Sequence, residues 1–174
     1  MIRRTMTGAA LAAFLGIGCG NNGPPEDPRQ LPPITSTDDI NDWLAAGYYK
    51  SWHCEPAIRD PLGVSPHGMS RTCSNELLST LPDTGEYPVG AASVKELADN
   101  NGALKGYSIS RHVAAGARAS SWFWFERNIQ GNVVAAGTGE RTPQDICSNC
   151  HVRAADSAFT GIQGGHDYVF IQVR

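Results

Sequence analysis

The sequence predicts a mostly β domain with a few short helices, and three stretches carry that prediction. Residues 91–98 and 103–113 flank Asp99-Asn100-Asn101-Gly102, the pattern of a hairpin with Asn-Gly in its turn. Residues 121–127 alternate Trp122, Trp124 and Glu126 with Phe123, Phe125 and Arg127, and bulky aromatic side chains suit a strand buried on at least one face. Residues 168–173 alternate again and are expected to close the sheet. No internal repeat is present.

The other elements follow in chain order. Residues 1–18 read as an export signal, with Arg3 and Arg4, a short apolar stretch over 9–17, and Gly16-Ile17-Gly18 before Cys19. This resembles a bacterial lipoprotein signal, in which Cys19 would become the lipid-modified first residue, although Gly16 stands where leucine is usual. The alternative is an ordinary secretory signal with an incidental cysteine. Both take the chain out of the cytoplasm, to the periplasm or cell envelope. Residues 19–36 are rich in proline, glycine and polar side chains and are expected to form a spacer between anchor and domain. The folded domain is then expected over 37–174. It opens with a helix, started by Thr37-Asp38-Asp39, carrying Ile40, Trp43 and Leu44 on one face and stopped by Gly47. Residues 53–68 hold many breakers and are expected to be irregular. Asn75 starts a short helix that Pro82-Asp83 closes, residues 133–136 pair back on the aromatic strand, and Pro143-Gln144-Asp145 opens another helix.

Composition excludes several classes. At 174 residues the chain is long enough for one domain, and 41% hydrophobic against 18% charged residues is compatible with a packed core. A net charge of -3 offers no basic stripe for nucleic acid. Past the N-terminus no apolar run is long enough to span a bilayer, so a lipid on Cys19 would be the one membrane attachment.

The chemistry lies in Cys147-Ser148-Asn149-Cys150-His151, the C-x-x-C-H signature of one covalently bound haem c. Two thiols one helical turn apart can each bond a vinyl group of one macrocycle, and His151 follows as the ligand of the iron. Such attachment takes place outside the bacterial cytoplasm, in agreement with the export signal. A redox-active dithiol and half of a zinc site, completed by Cys54, Cys73 or histidines, are the other readings. Cys54 and Cys73 form an even remainder in an oxidising compartment and are expected to make a disulfide. Met69 lies in a polar run and reads as a packing residue. His53, His67, His112 and His166 each read more readily as structural or surface residues than as ligands. The second axial position is therefore expected to be open to small molecules.

Four segments together are similar to the cytochrome P-460 family, which includes the β-type cytochromes c′. They are Tyr87-Pro88-Val89-Gly90-Ala91-Ala92-Ser93-Val94-Lys95-Glu96-Leu97, the strand Trp122 to Glu126, the haem motif, and Asp167-Tyr168-Val169-Phe170. The likeness extends from about Trp43 to the C-terminus. It implies a curved antiparallel sheet with helices, haem lying against the sheet, an unidentified redox partner and often a homodimer. P-460 itself carries a lysine–haem bond and oxidises hydroxylamine, and the β-type relatives bind nitric oxide. Of the three lysines, Lys95 stands where the family places the bonded one. The family's distal carboxylate has no counterpart on residues 106–113, and Glu126 on the next strand is the nearest substitute. Three functions follow: binding of nitric oxide or a related ligand, P-460-like oxidoreductase action on hydroxylamine or peroxide, and plain electron transfer.

Overall fold

In a computed structural model, residues 31–61, 63, 65–80, 84–138, 144–156, 165–170 and 173 are described. Helix α1 (Thr37–Ala46) buries Ile40, Trp43 and Leu44, as their helical spacing requires. Its cap is Ser36 rather than Thr37: the Ser36 hydroxyl accepts from the Asp39 N–H at 3.1 Å. The Gly47 N–H closes the other end on the Trp43 and Leu44 carbonyls. The signal and Cys19 lie outside the described residues. The spacer does not run free up to residue 36. Leu31 is buried, and Arg111 donates to the Pro32 carbonyl at 2.8 Å, so the domain packs from residue 31.

Six strands form one sheet in chain order, each antiparallel to the next. They are β1 (His53–Cys54), β2 (Met69–Ser74), β3 (Ala92–Ala98), β4 (Leu104–His112), β5 (Trp122–Asn128) and β6 (Val133–Thr138). The hairpin of β3 and β4, the aromatic β5 and the returning β6 match the expectation. β1 and β2 are additions: β1 lies in the stretch expected to be irregular, and β2 follows it, where no element was expected. The polar sequence of β2 hides a strand whose alternation is carried by buried Ser70 and Thr72 against half-buried Met69 and Arg71 rather than by aliphatic residues. Between β2 and β3, α2 (Glu76–Ser79) is a single turn capped by Asn75, whose Oδ1 accepts from the Leu78 N–H at 3.1 Å. Helix α3 (Gln144–His151) carries the cysteine pair.

The closing strand is a correction. Among its described residues the chain makes a tight turn, with His166 and Val169 exchanging backbone hydrogen bonds at 3.0 and 2.8 Å. Asp167 (φ 41°) and Tyr168 (φ 66°) adopt left-handed backbone, which an extended strand cannot contain.

Both faces of the sheet are covered. On the first, Val94, Ile109, Phe123, Phe125 and Cys73 pack with Ile40, Trp43, Leu44 and Tyr49. The Tyr49 hydroxyl donates to Glu96 at 2.6 Å there, so its burial leaves no polar atom stranded. On the second, Trp122 and Trp124 pack with Leu78, Tyr87, Ala91 and Val169, and Cys147 and Tyr168 lie against them.

Cys54 and Cys73 face each other in register on β1 and β2 and are joined by a disulfide. The bridge closes a loop of sequence separation 19, most of it without strand or helix. Replacing both cysteines by alanine is expected to remove about 3 kcal/mol of unfolding free energy. Urea denaturation of the oxidised protein and the double variant measures it, and coincident midpoints would refute a stabilising bridge.

Candidate functional site

Alternation along the strands decides which side chains meet. On β3, Ser93, Lys95 and Leu97 point away from Val94; on β5, Trp122, Trp124 and Glu126 point away from Phe123 and Phe125. The register sets Thr72, Lys95, Ser108, Glu126 and Ala135 in one row across the sheet. Lys95 and Glu126 are two strands apart, about 10 Å between backbones at a strand spacing of about 4.8 Å. Two long side chains on one face can close that gap.

Helix α3 covers this face. Cys147 and Cys150, three residues apart, emerge on one side of it, and both are free, half-buried thiols. His151 ends the helix with its ring centre 4.6 Å from that of Trp124 and 4.8 Å from that of Phe170. Its Nδ1 lies 2.6 Å from the Tyr168 carbonyl. A carbonyl only accepts, so Nδ1 carries the proton and the neutral ring keeps the Nε2 lone pair for a metal.

The left-handed turn at Asp167 and Tyr168 is what aims that carbonyl. Asp167 secures it by accepting the Tyr87 N–H at 2.8 Å. Gly165 lets the segment pass the end of α3: a Cβ there would stand 2.3 Å from the Ala154 carbonyl oxygen.

Glu126, the nearest substitute for the family's distal carboxylate, lies 3.0 Å from His67 Nδ1, with both side chains mostly shielded. His67 occupies the turn before β2, with its ring centre 6.4 Å from that of His151. The remaining candidates lie elsewhere. His53 pairs with Glu76 near the surface at 2.9 Å. His112 lies against Trp122, and His166 stacks on Tyr87. Met69 shares the Cys73 side of β2, across the sheet from Lys95. As expected, β4 gives this face Ser108 and Ser110 but no acid.

Charges in the site sense one another. Burial lowers the Lys95 ammonium to about 8, helped by Arg59 and opposed by Glu55, Glu126 and Cys150. His151 is lowered to about 3 by burial first and then by Lys95. Burial, then Glu126, raises the Cys147 thiol to about 11.

The residues fit a haem. Thr72, Trp122 and Trp124 have buried side-chain N or O atoms with no hydrogen-bond partner among the described residues. All three belong to this face, and indole and hydroxyl donors suit a macrocycle bearing two carboxylates. A zinc site fits less well. Cys54 and Cys73 bind each other, and no group of three His, Cys, Asp or Glu side chains gathers among the described residues. His67, read from the sequence as a structural or surface residue, and Tyr168 and Phe170, quoted there only for the family likeness, take places in the site that sequence reasoning did not assign them. A scan against protein-family models and a search of curated proteins find no match.

The low His151 value fixes the sign of a pH effect. Unfolded, this imidazole takes a proton near 6.5; folded, it does so only near 3, so the unfolded chain binds more protons between those values. The contribution of His151 to stability is therefore full above pH 6.5 and is lost as the solution is acidified toward 3. The sign is the same whether Nε2 is free or bound to a metal. Relative to wild type, His151→Phe should lose up to one proton of slope, about 1.4 kcal/mol per pH unit, in urea unfolding between pH 6 and 4. Parallel pH profiles would refute a buried, neutral His151.

Proposed function

We propose that the chain is an exported c-type cytochrome with one haem, held on the second face of the sheet. Cys147 and Cys150 make the thioether bonds, and His151 Nε2 is the axial ligand. The observation that carries this is the meeting of the C-x-x-C-H helix with an aromatic sheet face whose buried donors lack partners. The haem supplies an iron that binds small ligands and changes oxidation state. The residues around it hold the ring, exclude water and set local charge. Cys19 carries the lipid that keeps the domain at the membrane surface of the periplasm, with a redox protein as its partner.

The P-460 likeness gives the reading its direction. Lys95 lies in the row of Glu126 and feels the charge of Cys150, which supports a lysine within reach of the haem edge. Its lowered pKa leaves more of the amine unprotonated, and therefore nucleophilic, than an exposed lysine would have. Binding of nitric oxide or a related nitrogen compound ranks above oxidoreductase action on hydroxylamine or peroxide, because β4 brings no carboxylate and Glu126 is engaged by His67.

Two experiments test the proposal. Haem-stained denaturing gels should show a band for wild type and none for Cys147→Ala/Cys150→Ala; staining of the double variant would refute covalent attachment there. Lys95→Leu should keep the stain while returning a red-shifted Soret band to the ordinary c-type position. A wild-type spectrum already that of unmodified haem c would refute the lysine bond and leave the attachment standing.

A further inference from the structure

Of the four histidines besides His151, His67 is the one whose ring reaches the neighbourhood of His151. We propose that His67 is the second axial ligand of the haem iron in the resting protein, and that small ligands bind by displacing it. This rests on the haem reading above and replaces an open axial position with one that is filled and releasable.

The first argument is distance. Two imidazoles bound to one metal through bonds of about 2 Å have ring centres about 6 Å apart. The His67 and His151 rings are 6.4 Å apart, enough for one metal ion between them. A bound ligand as well would push them several ångströms further apart.

The second argument is the state of the rings. A metal-binding imidazole commonly gives its other N–H to a carbonyl or carboxylate, which fixes the tautomer and raises its donor strength. Both histidines are held this way: His151 Nδ1 by the Tyr168 carbonyl at 2.6 Å, His67 Nδ1 by Glu126 at 3.0 Å. Each is left with Nε2. The His67 side chain is 14% exposed and Glu126 23%, whereas the surface pair of His53 with Glu76 is 43% and 74% exposed.

The third argument concerns release. His151 is built into α3, but His67 lies in a turn between Pro66 and Gly68, and Gly68 has φ 73°, a conformation that glycine adopts without strain. A ligand on such a turn can leave without disturbing the sheet. Displacement exchanges one bond to iron for another and moves no electron.

The test uses the full chain with its attached haem. Ferric wild type should give the optical and electron paramagnetic resonance spectra of a low-spin, six-coordinate iron. His67→Ala should become high-spin with haem staining unchanged, and added imidazole should restore the low-spin form. If His67 leaves less than a tenth of the ferrous molecules open, its removal raises carbon monoxide affinity about tenfold or more. Glu126→Gln, which weakens the support of His67, should bind carbon monoxide faster than wild type. High-spin ferric wild type overturns the proposal, as does a low-spin His67→Ala. Should His67→Ala fail to fold, an unchanged carbon monoxide rate in Glu126→Gln overturns it. Wild type without haem stain would overturn the haem reading too; stained, high-spin wild type would overturn the His67 assignment alone.

Discussion

A strand has two faces, so the register of β3, β4 and β5 settles what this molecule can do. With Lys95 opposite Ser108 and Ser108 opposite Glu126, the lysine, the acid and Trp124 share the side that α3 covers. A slip of one residue in β5 would turn Trp124 and Glu126 toward α1 and bring Phe123 and Phe125 under the cysteine helix. The aliphatic and aromatic contacts of the first face oppose such a slip. Val94, Ile109 and Phe125 are each almost wholly buried there. The packing face thus holds the chemical face in register.

Both faces bury polar atoms, some of them met within the protein and some not. On the α1 side, Glu96 accepts from Tyr49 and Arg71, so its carboxylate is paired within the protein. Arg127 Nε on that side, and the Thr72, Trp122 and Trp124 side-chain atoms on the α3 side, are buried without a hydrogen-bond partner among the described residues. A buried donor left unpaired costs about 1–3 kcal/mol, and the neighbouring indoles of Trp122 and Trp124 place two such donors side by side against α3. The left-handed Tyr168 is a further local cost on that side, and it delivers the one carbonyl that fixes the His151 tautomer.

How much of this was legible in the sequence depends on how far apart the cooperating residues are. Helix α1, the β3–β4 hairpin and the cysteine helix are written in neighbouring residues, through spacing, turn chemistry and a local motif. The pairing of Cys54 with Cys73 was legible from parity and compartment. β2 was not, because Met69 to Ser74 carry few of the β-branched or aromatic residues that mark a strand, and the strand forms by pairing with β3. The partnership of His67 with Glu126 was invisible for the same reason: it exists only once β2 and β5 lie in one sheet. The turn at Asp167 and Tyr168 was misread as a strand because alternation shows side-chain pattern and not backbone sign.

The sheet also keeps two kinds of sulfur apart. Cys73 is sealed into the first face beneath α1, while Cys147 lies against the second. Thiol–disulfide exchange needs a thiolate to reach a disulfide sulfur directly, and here a layer of backbone intervenes. Burial keeps Cys147 protonated as well, which slows any attack it might make. Once the strands have paired, scrambling between the bridge and the helix thiols requires the sheet to open, so folding itself acts as the sorting step for sulfur chemistry.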